Sequence, residues 1–223
     1  MLQLHYFPGN ASMIPHILLE ELGVPFELKL VDRTVNAHKT PAYLKLNPNG
    51  LIPVLVDGEL VLYETAAICL HLADTHTVAA LVPGPVPVPR PAGQAHDRAE
   101  CTKWLMWMTN TLQAGLLLYF YPERWVDEGN AAAAAQIKAH AEAKIGGMLD
   151  QIDAHLAMHG KAWFLGDKYS LLDAYALVLC RWTRGFGRPA RTLPQIGPYL
   201  ARMLARAAVQ RMVVTEKLAP PYV

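Results

Sequence analysis

The sequence predicts an α/β unit followed by an all-helical one, and three observations predict it. Residues 1–80 switch between alternating and helical apolar spacing in the order β-α-β-α-β-β-α. The stretch from Pro83 to Gly93 then carries Pro83, Pro85, Pro87, Pro89 and Pro91, a composition that favours extended chain over helix or sheet. Beyond it the spacing is almost wholly helical. The expected division is residues 1–80, a linker over 81–93 and a helical domain over 94–223.

Leu2, Leu4 and Tyr6 alternate, which reads as a short strand that Pro8-Gly9-Asn10 ends. From Ser12 the spacing becomes helical through Met13, Ile14, Ile17, Leu18 and Leu22. Pro15 falls in the first turn, where a missing N–H costs least, and Gly23 supplies a stop. Phe26 to Val31 reads as a second strand and Pro41 to Leu46 as a short helix, followed by the turn cluster Asn47-Pro48-Asn49-Gly50. Pro53-Val54-Leu55-Val56 and Leu60-Val61-Leu62 flank Asp57-Gly58 as a hairpin, and Thr65 to Asp74 reads as a helix. In the second half, helices are expected from near Asp97 to near Phe120, over Asn130 to His159, from near Ser170, and over Pro198 to Ala208. Ser170 and Asp173 have the spacing of a capping box. His155 and His159, four apart, lack a third metal ligand and read as helix-surface residues, so no metal is expected.

Hydrophobic residues make up 52% of the chain, charged residues 17%, and the formal net charge is +1. That balance supplies a core and argues against a nucleic-acid partner held by a basic face. The three cysteines, Cys69, Cys101 and Cys180, form no C-x-x-C pair and read as reduced, partly buried thiols of a cytoplasmic protein. The amino terminus has no basic segment followed by an apolar run, so no signal peptide is expected. The longest apolar stretch, Leu116 to Tyr121, is too short to span a membrane.

Four stretches carry chemistry: Tyr6-Phe7-Pro8-Gly9-Asn10-Ala11-Ser12-Met13-Ile14-Pro15-His16, Asn47 to Leu55, Leu62-Tyr63-Glu64-Thr65-Ala66-Ala67-Ile68, and Phe164 to Ala174. Together and in this order they resemble the cytosolic glutathione transferase family, nearest the bacterial beta class, over essentially the whole chain. The resemblance implies a thioredoxin-like N-terminal domain (βαβαββα) that holds glutathione as co-substrate. It implies an all-α C-terminal domain with a pocket for a small hydrophobic electrophile. It also implies a cytoplasmic homodimer that conjugates the glutathione thiolate to that electrophile.

The resemblance makes the Ile52-Pro53 bond cis, so that Ile52, between Leu51 and Val54, pairs its backbone with glutathione as an added strand. Taken alone, Pro53 is equally an ordinary strand-initiating proline. Glu64 and Thr65 then take the γ-glutamyl end, at unpaired N–H groups that open a helix; otherwise they only cap it. Ser12 is the first candidate to donate to the thiolate, Tyr6 the second and Asn10 the third. Their structural alternatives are an N-cap, a core tyrosine and a turn residue. Asn10 as donor would favour a glutathione-dependent disulfide-bond reductase. His38 or Lys39 reaches the glycyl carboxylate or stays a solvated loop residue. Trp107, Met108, Thr111, Tyr119 and Tyr121, with Trp125 and Trp182, line the electrophile pocket or pack helices.

The chain departs from the beta class twice. Ala11 stands where that class has a cysteine, which excludes a mixed disulfide there. Gln113-Ala114 stands where it has a histidine and a lysine. Other functions on this plan are a glutathione-dependent peroxidase, reductase or dehalogenase, or a non-catalytic module that binds glutathione or a protein.

Overall fold

The computed structural model describes residues 1–76, 81–82 and 94–223, with side chains from residue 96 in the last stretch. The expected linker lies outside the described residues except at 81 and 82. Two compact units result: Met1–Arg98 with Met203–Pro220, and Ala99–Arg202 with Pro221–Val223.

The first unit is built on β1 (Leu2–Tyr6), β2 (Phe26–Leu30), β3 (Val54–Asp57) and β4 (Leu60–Tyr63), in the sheet order β2-β1-β3-β4. β2 runs parallel to β1; β3 is antiparallel to both β1 and β4. Alternation in β1 buries Leu2 and Leu4, which face the helical side with α1 (Met13–Leu22) and α3 (Thr65–Thr75). Gly23, in the left-handed conformation, caps α1 through its N–H to the Leu19 carbonyl. Between β2 and β3 lies α2 (Pro41–Leu44), whose Tyr43 joins Val31, Ile52 and Val54 in a small separate core. The hairpin turn sits one residue later than expected. Asp57 still pairs with Leu60, which leaves Gly58-Glu59 as the turn.

The second unit is helical. α4 (Gln94–Trp107) continues through a π-helical turn (Met108–Gln113) into α5 (Ala114–Phe120), where the sequence suggests one uninterrupted helix. α6 (Ala131–His159) begins where Asn130 Oδ1 accepts the Ala133 N–H at 3.1 Å. α7 (Leu171–Trp182) is buried over nearly its whole length. In the box that opens it, the Asp173 carboxylate carries the contacts, and the Ser170 hydroxyl donates to that carboxylate at 3.2 Å. His155 Nε2 donates to the Phe164 carbonyl at 2.8 Å, and His159 Nδ1 accepts the Lys161 N–H at 2.9 Å. Each histidine thus commits one nitrogen to the backbone. No helix among the described residues is long and apolar enough to cross a membrane.

The helix expected over Pro198 to Ala208 is two helices, α8 (Ile196–Leu204) and α9 (Ala207–Thr215). Arg206 is extended between them, and its guanidinium takes both Glu21 carboxylate oxygens of α1, at 2.5 and 2.7 Å. α9 packs along α1 by Ala208, Val209, Met212 and Val213, and Arg211 pairs with Glu20. Residues 203–220 therefore belong to the first unit. Near the start of α8, a Cβ on Gly197 would lie 2.6 Å from the Arg191 carbonyl oxygen. Backbone cannot retreat as a flexible side chain can. Gly197→Ala should therefore destabilise by about 2–3 kcal/mol, seen as a lower urea midpoint with an unchanged slope.

Candidate active site

Sheet register decides what meets. His5 pairs with Val54, Val54 with Tyr63, and Tyr6 with Leu30. The turn after β1, the segment after β2, the loop before β3 and the β4–α3 junction therefore all leave one end of the sheet. These four segments carry Tyr6, Asn10 and Ser12; His38 and Lys39; Leu51, Ile52 and Pro53; and Glu64 and Thr65.

Within the first turn the three candidate donors differ. Ser12 is 0% exposed and makes no side-chain cap to α1. Its hydroxyl donates to the Phe7 carbonyl at 3.1 Å and accepts the Phe7 N–H at 3.3 Å, which closes the turn on itself. Asn10 Oδ1 accepts the Ala11 N–H at 2.5 Å, which leaves its NH₂ without a protein acceptor among the described residues. The Tyr6 ring meets the His16 ring edge-on at 6.3 Å. Burial, and then the Glu216 carboxylate, push the Tyr6 phenol above its ordinary range.

The Ile52–Pro53 bond is cis. The Leu51 carbonyl before it accepts from the Tyr43 hydroxyl at 2.8 Å and from Asn47 Nδ2 at 2.9 Å. Those two side chains fix the loop while the Leu51 side chain stays exposed. Among the described residues the Ile52 N–H and C=O have no partner. Lys39 Nζ reaches the Asn49 carbonyl at 3.5 Å. His38 Nδ1 is buried without a hydrogen bond, and burial, then Arg33 and Lys39, hold the ring below the usual histidine range.

Glu64 has φ 71° and ψ 114°, a conformation side chains rarely adopt and one that costs about 1–3 kcal/mol. The first helical bond of α3 runs from the Ile68 N–H to the Glu64 carbonyl at 3.0 Å, which leaves the N–H groups of Thr65, Ala66 and Ala67 open. Thr65 is only 7% exposed, yet its hydroxyl has no partner among the described residues. Strain and unspent donors at one helix start mark a binding position better than a cap.

No protein thiol serves this turn. Cys69, Cys101 and Cys180 are all buried; burial pushes the Cys180 thiol up to about 12 and the Cys69 thiol also upward. A thiolate used here must arrive with a ligand.

In the helical unit, Met108 is 0% exposed, so its side chain is core and not pocket wall. Trp107 stacks edge-on to Trp104 at 5.3 Å and Thr111 is half-buried in the π turn. Tyr119 packs on Phe186 at 4.3 Å, with Lys138 Nζ 4.8 Å above its ring. Arg124 lies 4.0 Å over Tyr121. Trp182 meets Phe120 edge-on at 6.5 Å, and Trp125 is 63% exposed. Gln113 accepts from the Tyr175 hydroxyl at 3.4 Å and Ala114 is exposed, so no basic pair stands there.

The family described as glutathione S-transferase, N-terminal domain, matches residues 11–75, and that described as glutathione S-transferase, C-terminal domain, matches residues 107–207. The chain belongs to the glutathione S-transferase family. It is 32% identical to glutathione S-transferase GST-4.5 of Xanthomonas campestris pv. campestris, over 97% of this chain and all of that one. A Sulfitobacter glutathione transferase homologue, solved with bound glutathione, superposes with a TM-score of 0.85 at 25% identity, covering 98% of this chain and 99% of its own. A sphingomonad glutathione S-transferase complexed with glutathione gives 0.78 at 29%, covering 97% of this chain and 100% of its own.

Sequence reasoning missed Tyr43 and Asn47, which hold the family's cis-proline loop, and His16 and Glu216. Both of the latter carried a signal. Each places a titratable group on an apolar stripe: His16 among Met13, Ile14 and Ile17, and Glu216 after Val209, Met212 and Val213.

Proposed function

We propose that this chain binds glutathione at the end of the sheet, holds its sulfur as thiolate and conjugates it to a hydrophobic electrophile. One observation carries the proposal. The unspent polar groups at this end of the sheet match those of an extended tripeptide. The γ-glutamyl carboxylate goes to the Thr65 hydroxyl and the open N–H groups of α3, and its amine to Glu64. The cysteinyl backbone pairs with the Ile52 N–H and C=O. The glycyl carboxylate goes to Lys39, with His38 beside it. Asn10 is the donor to sulfur, with Tyr6 second, because the Ser12 hydroxyl is spent on Phe7. Trp107, Thr111, Tyr119 and Tyr121 supply the wall for the electrophile. A homodimer in the cytoplasm is the family's usual state and is part of the proposal.

Thr65→Val keeps the shape and removes the hydroxyl. Calorimetry should give about tenfold weaker glutathione binding, the weight of one hydrogen bond to a carboxylate, with the fold intact. Unchanged affinity would sink the assignment of this helix start. The unspent Asn10 amide also favours a second activity, glutathione-dependent disulfide reduction. Turnover of a disulfide faster than of a general electrophile would favour it. Glutathione binding without any turnover would favour a binding module.

A further inference from the structure

The turn that carries the candidate donors is held from the far end of the chain. Glu216, one residue past α9, is buried with a carboxylate that has no exposure. Its Oε2 accepts the Gly9 N–H at 2.9 Å, and its Oε1 accepts from His16 Nδ1 at 2.8 Å. These contacts cross 207 and 200 residues of sequence. Behind them, Arg206 on Glu21 and Arg211 on Glu20 latch α9 antiparallel along α1. The groups facing Glu216 are the Gly9 amide, His16 and Tyr6, and Glu20 Oε1 lies 3.9 Å from the far nitrogen of His16.

A buried carboxylate here has no electrostatic reason to help a thiolate. A negative charge opposes a second one nearby, and Glu216 already pushes the Tyr6 phenol up. What it does is geometric. Gly9 precedes Asn10, and Phe7, bonded to Ser12, closes the same turn. Holding the Gly9 N–H fixes the Pro8–Gly9 peptide, which immediately precedes the Gly9–Asn10 peptide that leads into the Asn10 side chain.

We infer that Glu216 is a positioning residue: through Gly9 and His16 it sets the turn that aims the donor at glutathione sulfur. The inference rests on the glutathione reading above. Its test separates position from charge, because the two predict opposite signs. Glu216→Ala should leave glutathione affinity within about threefold, since Ile52, Glu64 and Thr65 are untouched. It should lower kcat about thirtyfold, the scale of a small misplacement. It should also raise the thiol pKa of bound glutathione, followed by thiolate ultraviolet absorbance, by about one unit. Glu216→Gln keeps an oxygen for Gly9 and an NH₂ for His16 in its other tautomer, and should keep both kcat and thiol pKa near wild type.

If Glu216 acts as a charge, both variants lower the thiol pKa, and the positioning role is overturned. It is equally overturned if Glu216→Ala folds and matches wild type in kcat and thiol pKa. Should that variant not fold, Glu216→Asp, which keeps the charge but draws the carboxylate back by one methylene, should show the same split at about fivefold. An unshifted thiol there overturns it too. A wild type that leaves the bound thiol at its free value sinks the thiolate reading, and this role with it. A wild type that depresses the thiol, with Glu216→Ala depressing it equally, sinks this role alone.

Discussion

Asp173→Ala should destabilise the protein by about 3–5 kcal/mol, the cost of stripping the acceptor from a buried polar network. Its Oδ1 takes the Phe164 N–H at 2.8 Å and the Tyr199 hydroxyl at 2.9 Å. Its Oδ2 takes the Ser170 N–H at 2.7 Å and the Ser170 hydroxyl at 3.2 Å. Alanine leaves four donors buried with nothing to accept them. Ser170→Ala removes one of the four and should cost only about 1 kcal/mol. Urea unfolding measures both. A loss below 1 kcal/mol for Asp173→Ala would show that the network closes without its carboxylate.

The same carboxyl makes stability depend on pH. Burial pushes Asp173 up to about 6 from 3.8, against the pull of those four donors. The native state therefore binds this proton more tightly than the unfolded chain. Its stabilising contribution is complete below pH 4, falls as pH rises through 6, and is flat above. In Asp173→Asn nothing titrates at this position, and that component of the slope should vanish.

Asn10→Ala should lower kcat/KM about thirtyfold and Ser12→Ala should not. A hydrogen bond to a charged acceptor is worth about 2 kcal/mol, which is that factor in rate. Asn10 Oδ1 is tied to the Ala11 N–H, so the amide presents its NH₂ at the start of α1, where the helix dipole adds in the same sense. Ser12→Ala instead leaves the Phe7 N–H and C=O without their bridge and should appear as lost stability. Tyr6→Phe should fall between them, because burial and Glu216 make the phenol reluctant to share charge. Steady-state kinetics with a general electrophile separates the three. The largest loss in Ser12→Ala would return the donor role to the serine.

The order of elements in the first unit was legible because each signal is local. Alternation marked β1 and Gly23 marked the end of α1; in the second unit Ser170-x-x-Asp173 likewise marked the start of α7. The cis bond at Pro53 followed only from family resemblance, since an X-Pro sequence permits both isomers. What stayed hidden depends on distant chain. The break at Arg206 is made by Glu21, and the Gly9 clamp is made by Glu216. The direction of the Ser12 hydroxyl was also hidden: a serine before a helix reads as a cap, but the Phe7 backbone competes for it. The π turn at Met108–Gln113 carries no Pro or Gly to announce it.

The proposed chemistry at this sheet end is glutathione bound and held as its thiolate. The most direct measurement is a pH titration of wild-type protein saturated with glutathione, followed by thiolate ultraviolet absorbance. A free thiol titrates near ~8.5; the bound one should titrate about two units lower, equivalent to roughly 2.7 kcal/mol of preference for the charged form. A bound thiol that still titrates near its free value would contradict the claim and leave a protein that binds glutathione without activating it.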